Sequence, residues 1–156
     1  MSKPFPLKTL LDLAQERSDT AAAQLGMVNG HARDIQDRLQ LLLNYRLEYS
    51  NRLVNDAKLG IGSVGWLNFR QFIATIDAAI EKQREMVVAA QHQLEASKQH
   101  WQAEQGRLRS FETLAQRHHR AQRVVEAKLE QKEQDNFALK DFLGDGRASG
   151  IGTNPM

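Results

Sequence analysis

The chain has no cysteine, and no proline between Pro6 and Pro155. Without cysteine there is no disulfide framework, no thiolate metal site and no thiol nucleophile. Without proline nothing in the covalent chain forces a helix to stop across that span. No apolar run approaches the ~18 residues of a membrane-spanning helix. Asp12 and Glu16 follow Leu11 too closely for a secretory leader, so the protein is expected to be cytosolic and soluble. Aromatic residues make up 6% and hydrophobic residues 41% of 156 residues, too little for a thick globular core at this length. Charge of one sign is also scarce: 21 basic and 19 acidic residues leave a formal +2, which is weak support for a nucleic-acid partner.

What the chain does have is a heptad seam. Alternating steps of four and three pass through Leu7, Leu11, Ala14, Ser18, Ala21, Leu25, Val28, Ala32, Ile35, Leu39, Leu42, Arg46, Tyr49 and Leu53. Only Ser18 and Arg46 interrupt the apolar series, which is longer than the ~3–4 heptads that define a coiled coil. A second seam runs through Phe69, Ile73, Ile76, Ile80, Gln83, Val87, Ala90, Leu94, Ser97, Trp101, Glu104, Leu108, Phe111, Ala115, His118, Gln122, Val125 and Leu129, with polar members gathering toward its C-terminal end. Between the two lie Gly60, Gly62 and Gly65.

This pattern predicts an all-α chain, two long helices in an antiparallel coiled-coil hairpin. Pro4 and Pro6 suit the helix entrance, where a missing N–H costs nothing. Helix one is placed over 7–55 and the turn over 56–67. Helix two, placed over 68–142, is entered through a capping box of Asn68 and Gln71 with Leu67 and Phe72 as hydrophobic staple. These elements form one hairpin domain, 1–143, and the glycine-rich residues 144–156 are expected to be a flexible tail. Antiparallel pairing places residues whose numbers sum to about 124 at one level. Helix two is then the longer, and His119 to Leu143 project without a partner from the same chain, carrying Val124, Val125, Leu129, Phe137, Leu139, Phe142 and Leu143. Such a tip either inserts into another protein, frays, or pairs in a homodimer.

A wider apolar stripe lies near the turn. Phe72, Ala79 and Met86 repeat every seven residues beside Ile73, Ile76, Ile80 and Val87, more than two strands need. With Tyr45 and Tyr49 level on helix one, Leu42, Tyr45, Tyr49, Phe72, Ile76 and Ala79 make either an exposed partner patch or a local thickening of the seam.

Candidate chemistry is thin. Gly60, Gly62 and Gly65 spell G-x-G-x-x-G, but a dinucleotide site needs a preceding strand, and here a long helix precedes. His118 and His119 are adjacent, so they point about 100° apart and cannot share a metal as an i, i+4 pair can. His100 with Glu104 and His92 with Glu95 have helical spacing but stand alone. Arg107, Arg109, Arg117, Arg120 and Arg123 form a basic stretch, diluted by Glu104, Glu112 and Glu126; a solvated face or an acidic protein partner fits it better than nucleic acid. A two-helix rod has no concavity in which catalytic groups converge, so no enzyme, cofactor or metal is expected.

The run Trp66-Leu67-Asn68-Phe69-Arg70-Gln71-Phe72-Ile73, continued by Ile76, Ala79, Ile80 and Glu81, resembles the FliJ family of flagellar export proteins. So do Leu10-x-x-Leu13-Ala14, Leu39 with Leu42, Tyr45, Glu48 and Tyr49, and the segment Gln105 to Gln116 with Leu108, Thr113 and Leu114; the likeness spans about residues 7–140. It departs at Arg38 and Gln83, where Gln and His are expected. The resemblance implies a cytosolic part of the flagellar type III export apparatus, peripheral to the cytoplasmic membrane, built like the stalk subunit of rotary ATPases. The implied partners are the hexameric export ATPase FliI, the linker of the export gate FlhA and export chaperones. It also implies gate contacts at Leu42, Tyr45, Tyr49, Phe72, Ile76 and Ala79, and a ring-facing tip at Val125, Leu129, Phe137 and Leu139. Two other readings stand beside it, a structural homodimeric coiled coil and the stalk protein of a virulence secretion system.

Overall fold

The computed structural model describes residues 3–148, with side chains to Asp145. Two helices, α1 (Lys8–Leu59) and α2 (Ser63–Ala148), account for nearly all of them, and no strand occurs among the described residues. The expected all-α, antiparallel hairpin with a longer second helix is what the chain forms. Every seam residue from Leu11 to Leu53 and from Phe69 to Gln122 is buried or half-buried, and the ten buried residues among those described are all seam positions. The heptad period thus marks the helix faces that leave water.

The turn is tighter than the sequence suggests. α1 continues to Leu59 and α2 begins at Ser63, so Asn68 lies inside the helix and does not cap it. Gly60 takes φ +88°, a left-handed conformation that a side chain resists and that ends α1. Ile61 folds back so that a Cβ on Gly65 would lie 3.0 Å from its Cγ2. The Gly62 carbonyl then accepts the Trp66 N–H at 3.1 Å, opening α2. The reversal centres on Ile61, and cross-helix partners such as Ile35 with Gln83 pair slightly below the expected sum.

Contacts divide the chain into two compact units, residues 14–108 and residues 1–13 with 109–156. In the first, Leu39, Ile76 and Ile80 form the core, with Leu42, Leu43, Phe72 and Val87 packed against it. Polar seam members are accommodated individually. Arg46 forks onto Asp77, its Nε donating to Oδ1 and its Nη2 to Oδ2 at 3.3 Å. Their hydrogen bond holds the Asp77 carboxyl below the ordinary carboxylate range and raises the Arg46 guanidinium above its own. Gln83 Nε2 donates to the Ile35 carbonyl at 2.9 Å.

Glu104 is less well served. It is 7% exposed, its Oε1 lies 3.5 Å from the largely exposed Arg107 Nη1, and its Oε2 has no partner. A buried carboxylate oxygen without a donor costs stability that an apolar side chain does not. Glu104→Leu is therefore expected to raise the thermal midpoint by a few degrees, the ~2–4 °C that about 1 kcal/mol gives a chain of this size, read by circular dichroism.

In the second unit, the N-terminal segment lies along α2. Gln122 Nε2 donates to the Lys3 carbonyl at 2.6 Å. His118 Nε2, 3.1 Å from the same oxygen, donates as well, because a carbonyl only accepts. The Phe5 ring sits 5.6 Å from the His118 ring. Beyond Gln122 every residue from Arg123 to Asp145 is exposed. The helix continues there because Glu130, Gln131, Lys132, Glu133 and Ala138 are strong helix formers propagating from a packed nucleus, aided by the Gln131–Asp135 side-chain bond at 3.1 Å. Of the expected tail, Gly144 to Ala148 is helical; residues 149–156 lie outside the described residues.

Candidate protein-interaction surfaces

The aromatic residues of the first unit converge beside the turn. The Tyr49 ring stacks on Phe69 at 5.2 Å and 3°, and lies 4.2 Å from Phe72. Tyr45 meets Phe72 edge-on at 6.1 Å, and Trp66 stacks on Phe69 at 6.1 Å. Aromatic pairs in these geometries add ~0.5–1.5 kcal/mol each beyond area burial, so the cluster is a rigid platform. Heptad stepping puts Phe69 on the seam but leaves out Trp66; the readable signal is the i, i+3 spacing of Trp66, Phe69 and Phe72, which puts all three on one side of α2.

The six predicted patch residues separate by depth. Tyr45 is 50% exposed and Ala79 is exposed; Leu42, Tyr49 and Phe72 are half-buried. Ile76, at 5% exposure, belongs to the core beneath them. Tyr45 and Ala79, with the open edges of Tyr49 and Phe72, are the solvent-facing part of this patch, and Leu41 adds exposed apolar area four residues before Tyr45.

The predicted tip residues also divide. Val125 and Leu129 line a groove of about 430 Å³ with Lys3, His118, Ala121, Gln122 and Glu126. Phe137 and Leu139 lie further along α2, outside that groove, and are exposed, Phe137 at 70%. Val124, Phe142 and Leu143 are exposed as well.

Among the described residues no group of three or more His, Asp or Glu side chains is placed to hold a metal, and no helix is long and apolar enough to cross a membrane. His118 and His119 rings are 5.9 Å apart, tilted by 65°. In the basic stretch Arg109, Arg117, Arg120 and Arg123 share one side of α2 by their helical spacing, and Arg107 does not.

Fold and surfaces together define an antiparallel two-helix coiled coil that exposes apolar side chains beside its turn and along the end of its second helix. A family model described as the flagellar FliJ protein matches residues 2–147. The Flagellar FliJ protein of Escherichia coli (strain K12) is 33% identical over 140 residues, covering 90% of this chain and 95% of that protein, and the Salmonella typhi protein of the same name matches to the same extent. The chain belongs to the FliJ family.

Proposed function

We propose that this chain is a non-enzymatic component of the flagellar type III protein export apparatus. It binds the hexameric export ATPase as a central-stalk-like element through the free end of α2, couples that ring to the linker of the export gate through the Tyr45–Phe72 surface, and escorts export chaperones. It works in the cytoplasm, held peripherally at the membrane at the flagellar base. The observation that carries the reading is the unbroken exposure of α2 from Arg123 to Asp145 with its apolar side chains, a helix end fit to enter a ring pore. A ligand that binds the assembled hexamer better than free subunits shifts assembly by its differential affinity, so any effect on hydrolysis is allosteric. The flagellar relatives favour this organelle over a virulence system.

The test is ATP hydrolysis by the cognate export ATPase with and without this chain, together with electron microscopy of the rings. Stimulation with added central density supports the stalk role. No effect on either, with a stable homodimer in solution, replaces it with a structural coiled coil. For the second surface, Tyr45→Ala is expected to weaken capture of the gate linker about tenfold while leaving helicity unchanged, since Tyr45 is half in solvent and its loss spares the core. Equal capture by both proteins moves the gate contact elsewhere.

A further inference from the structure

The reversal between the helices carries apolar surface that neither interaction above uses. Leu59 is 87% and Val64 71% exposed, and Trp66 and Leu67 are each about half open. The turn geometry produces this display. Gly60 in its left-handed conformation ends α1 just after Leu59, and Ile61, half-buried, packs back toward Gly65. The hairpin tucks one apolar side chain in and leaves its neighbours out, although a turn placed purely for reversal is served by polar residues.

The charge around the turn is basic on balance. From Tyr49 to Ile76 the chain carries exposed Arg52, Lys58 and Arg70 against the single acid Asp56, with Glu48 and Asp77 bounding the stretch. Leucine and valine at a tip, an indole beside them and a basic collar are the combination that settles in the headgroup region of an anionic bilayer. The apolar side chains reach the acyl boundary, the indole sits at headgroup depth, and the cations meet lipid phosphates and carboxylates.

We propose that the hairpin turn is a shallow insertion site for an anionic lipid bilayer, with Leu59, Val64, Trp66 and Leu67 entering the interface and Arg52, Lys58 and Arg70 meeting the headgroups. This deepens the peripheral membrane placement proposed above and rests on it for the kind of surface met. It makes the turn an attachment point separate from the end of α2. With four apolar residues and a small charge excess the attachment is weak and reversible, as a single acyl chain is.

The test is sedimentation of the full chain with phosphatidylcholine–phosphatidylserine vesicles and with pure phosphatidylcholine vesicles. Tryptophan emission is followed in a Trp101→Phe background, so that Trp66 alone reports. Partitioning to the anionic vesicles is expected to exceed that to neutral ones by about tenfold or more, with a blue shift of Trp66. The double substitution Leu59→Asp, Val64→Asp is expected to abolish both while circular dichroism stays unchanged. If Trp101→Phe disturbs folding, sedimentation of the chain with its native tryptophans carries the test alone. Equal partitioning to both vesicle types, or partitioning indifferent to the double substitution, overturns the proposal. So does concentration-dependent self-association without lipid that the double substitution abolishes, which assigns the tip to a second copy. Neither ATPase nor gate protein is present, so a negative result here leaves the stalk reading intact, and failure of the hydrolysis assay leaves this one intact.

Discussion

Ile80→Ala is expected to lower the unfolding free energy by about 3 kcal/mol and the thermal midpoint by roughly 6–12 °C. Ile80 is buried at the centre of the first unit between Leu39 and Ile76, with Leu42, Leu43, Phe72 and Val87 closing around them. A two-helix hairpin has no third layer to collapse into the space left by the lost methyl and methylene groups, so the cavity term adds to the transfer term. Val125→Ala is the matched control. Its side chain is exposed, and its truncation is expected to stay within about 0.5 kcal/mol. Thermal melts of the two variants by circular dichroism decide the matter: a shift for Ile80→Ala no larger than the control's would mean that the hairpin is not held at this layer.

That core was readable in advance because the heptad period is a direct geometric consequence of two helices sharing a seam. Ala14, Ala21, Ile35, Leu39, Ile80 and Ala90 are buried for no other reason than their step along it. The end of pairing was also legible, since Val125 and Leu129 continue the period but face solvent once the shorter α1 has no residues left to oppose them. What resisted reading was set by local geometry with no period. The exact reversal depended on the φ of Gly60 and on Ile61 turning inward, so the Asn68 capping signal, plausible by spacing, fell inside a helix already begun at Ser63. Ile76 looked like part of an open patch because periodicity places it on the right face without giving its depth. Polar seam residues were ambiguous for the same reason. Arg46, Gln83 and Glu104 look alike as interruptions, yet the first forks onto Asp77, the second reaches a backbone carbonyl, and the third keeps one oxygen unpartnered. Those outcomes depend on side-chain reach across the seam, which spacing does not encode.

Val125→Asp combined with Leu129→Asp is expected to reduce stimulation of the export ATPase by at least about tenfold, with helicity preserved. The two residues lie four apart on α2, on one face, and both are exposed beside the N-terminal segment. Inside a ring pore each is expected to lose water; replacing it forfeits the ~1.5–3 kcal/mol that burial of such a side chain supplies and adds a carboxylate that must be desolvated. The lower figure at one position is already about a factor of ten in affinity. In the free chain the same substitutions cost little, because neither side chain contributes to the core and surface changes are usually small. The discriminating pair of measurements is therefore hydrolysis against variant concentration and far-ultraviolet circular dichroism. Lost stimulation with intact helicity places the contact on this face of α2. Lost stimulation with lost helicity would make the residues structural, and full stimulation by the variant would move the ring contact to Phe137, Leu139 and the apolar residues after them. If instead the unsubstituted chain sediments as a dimer that the double substitution dissolves, and hydrolysis responds to neither protein, the free end of α2 closes on a second copy and the stalk reading falls.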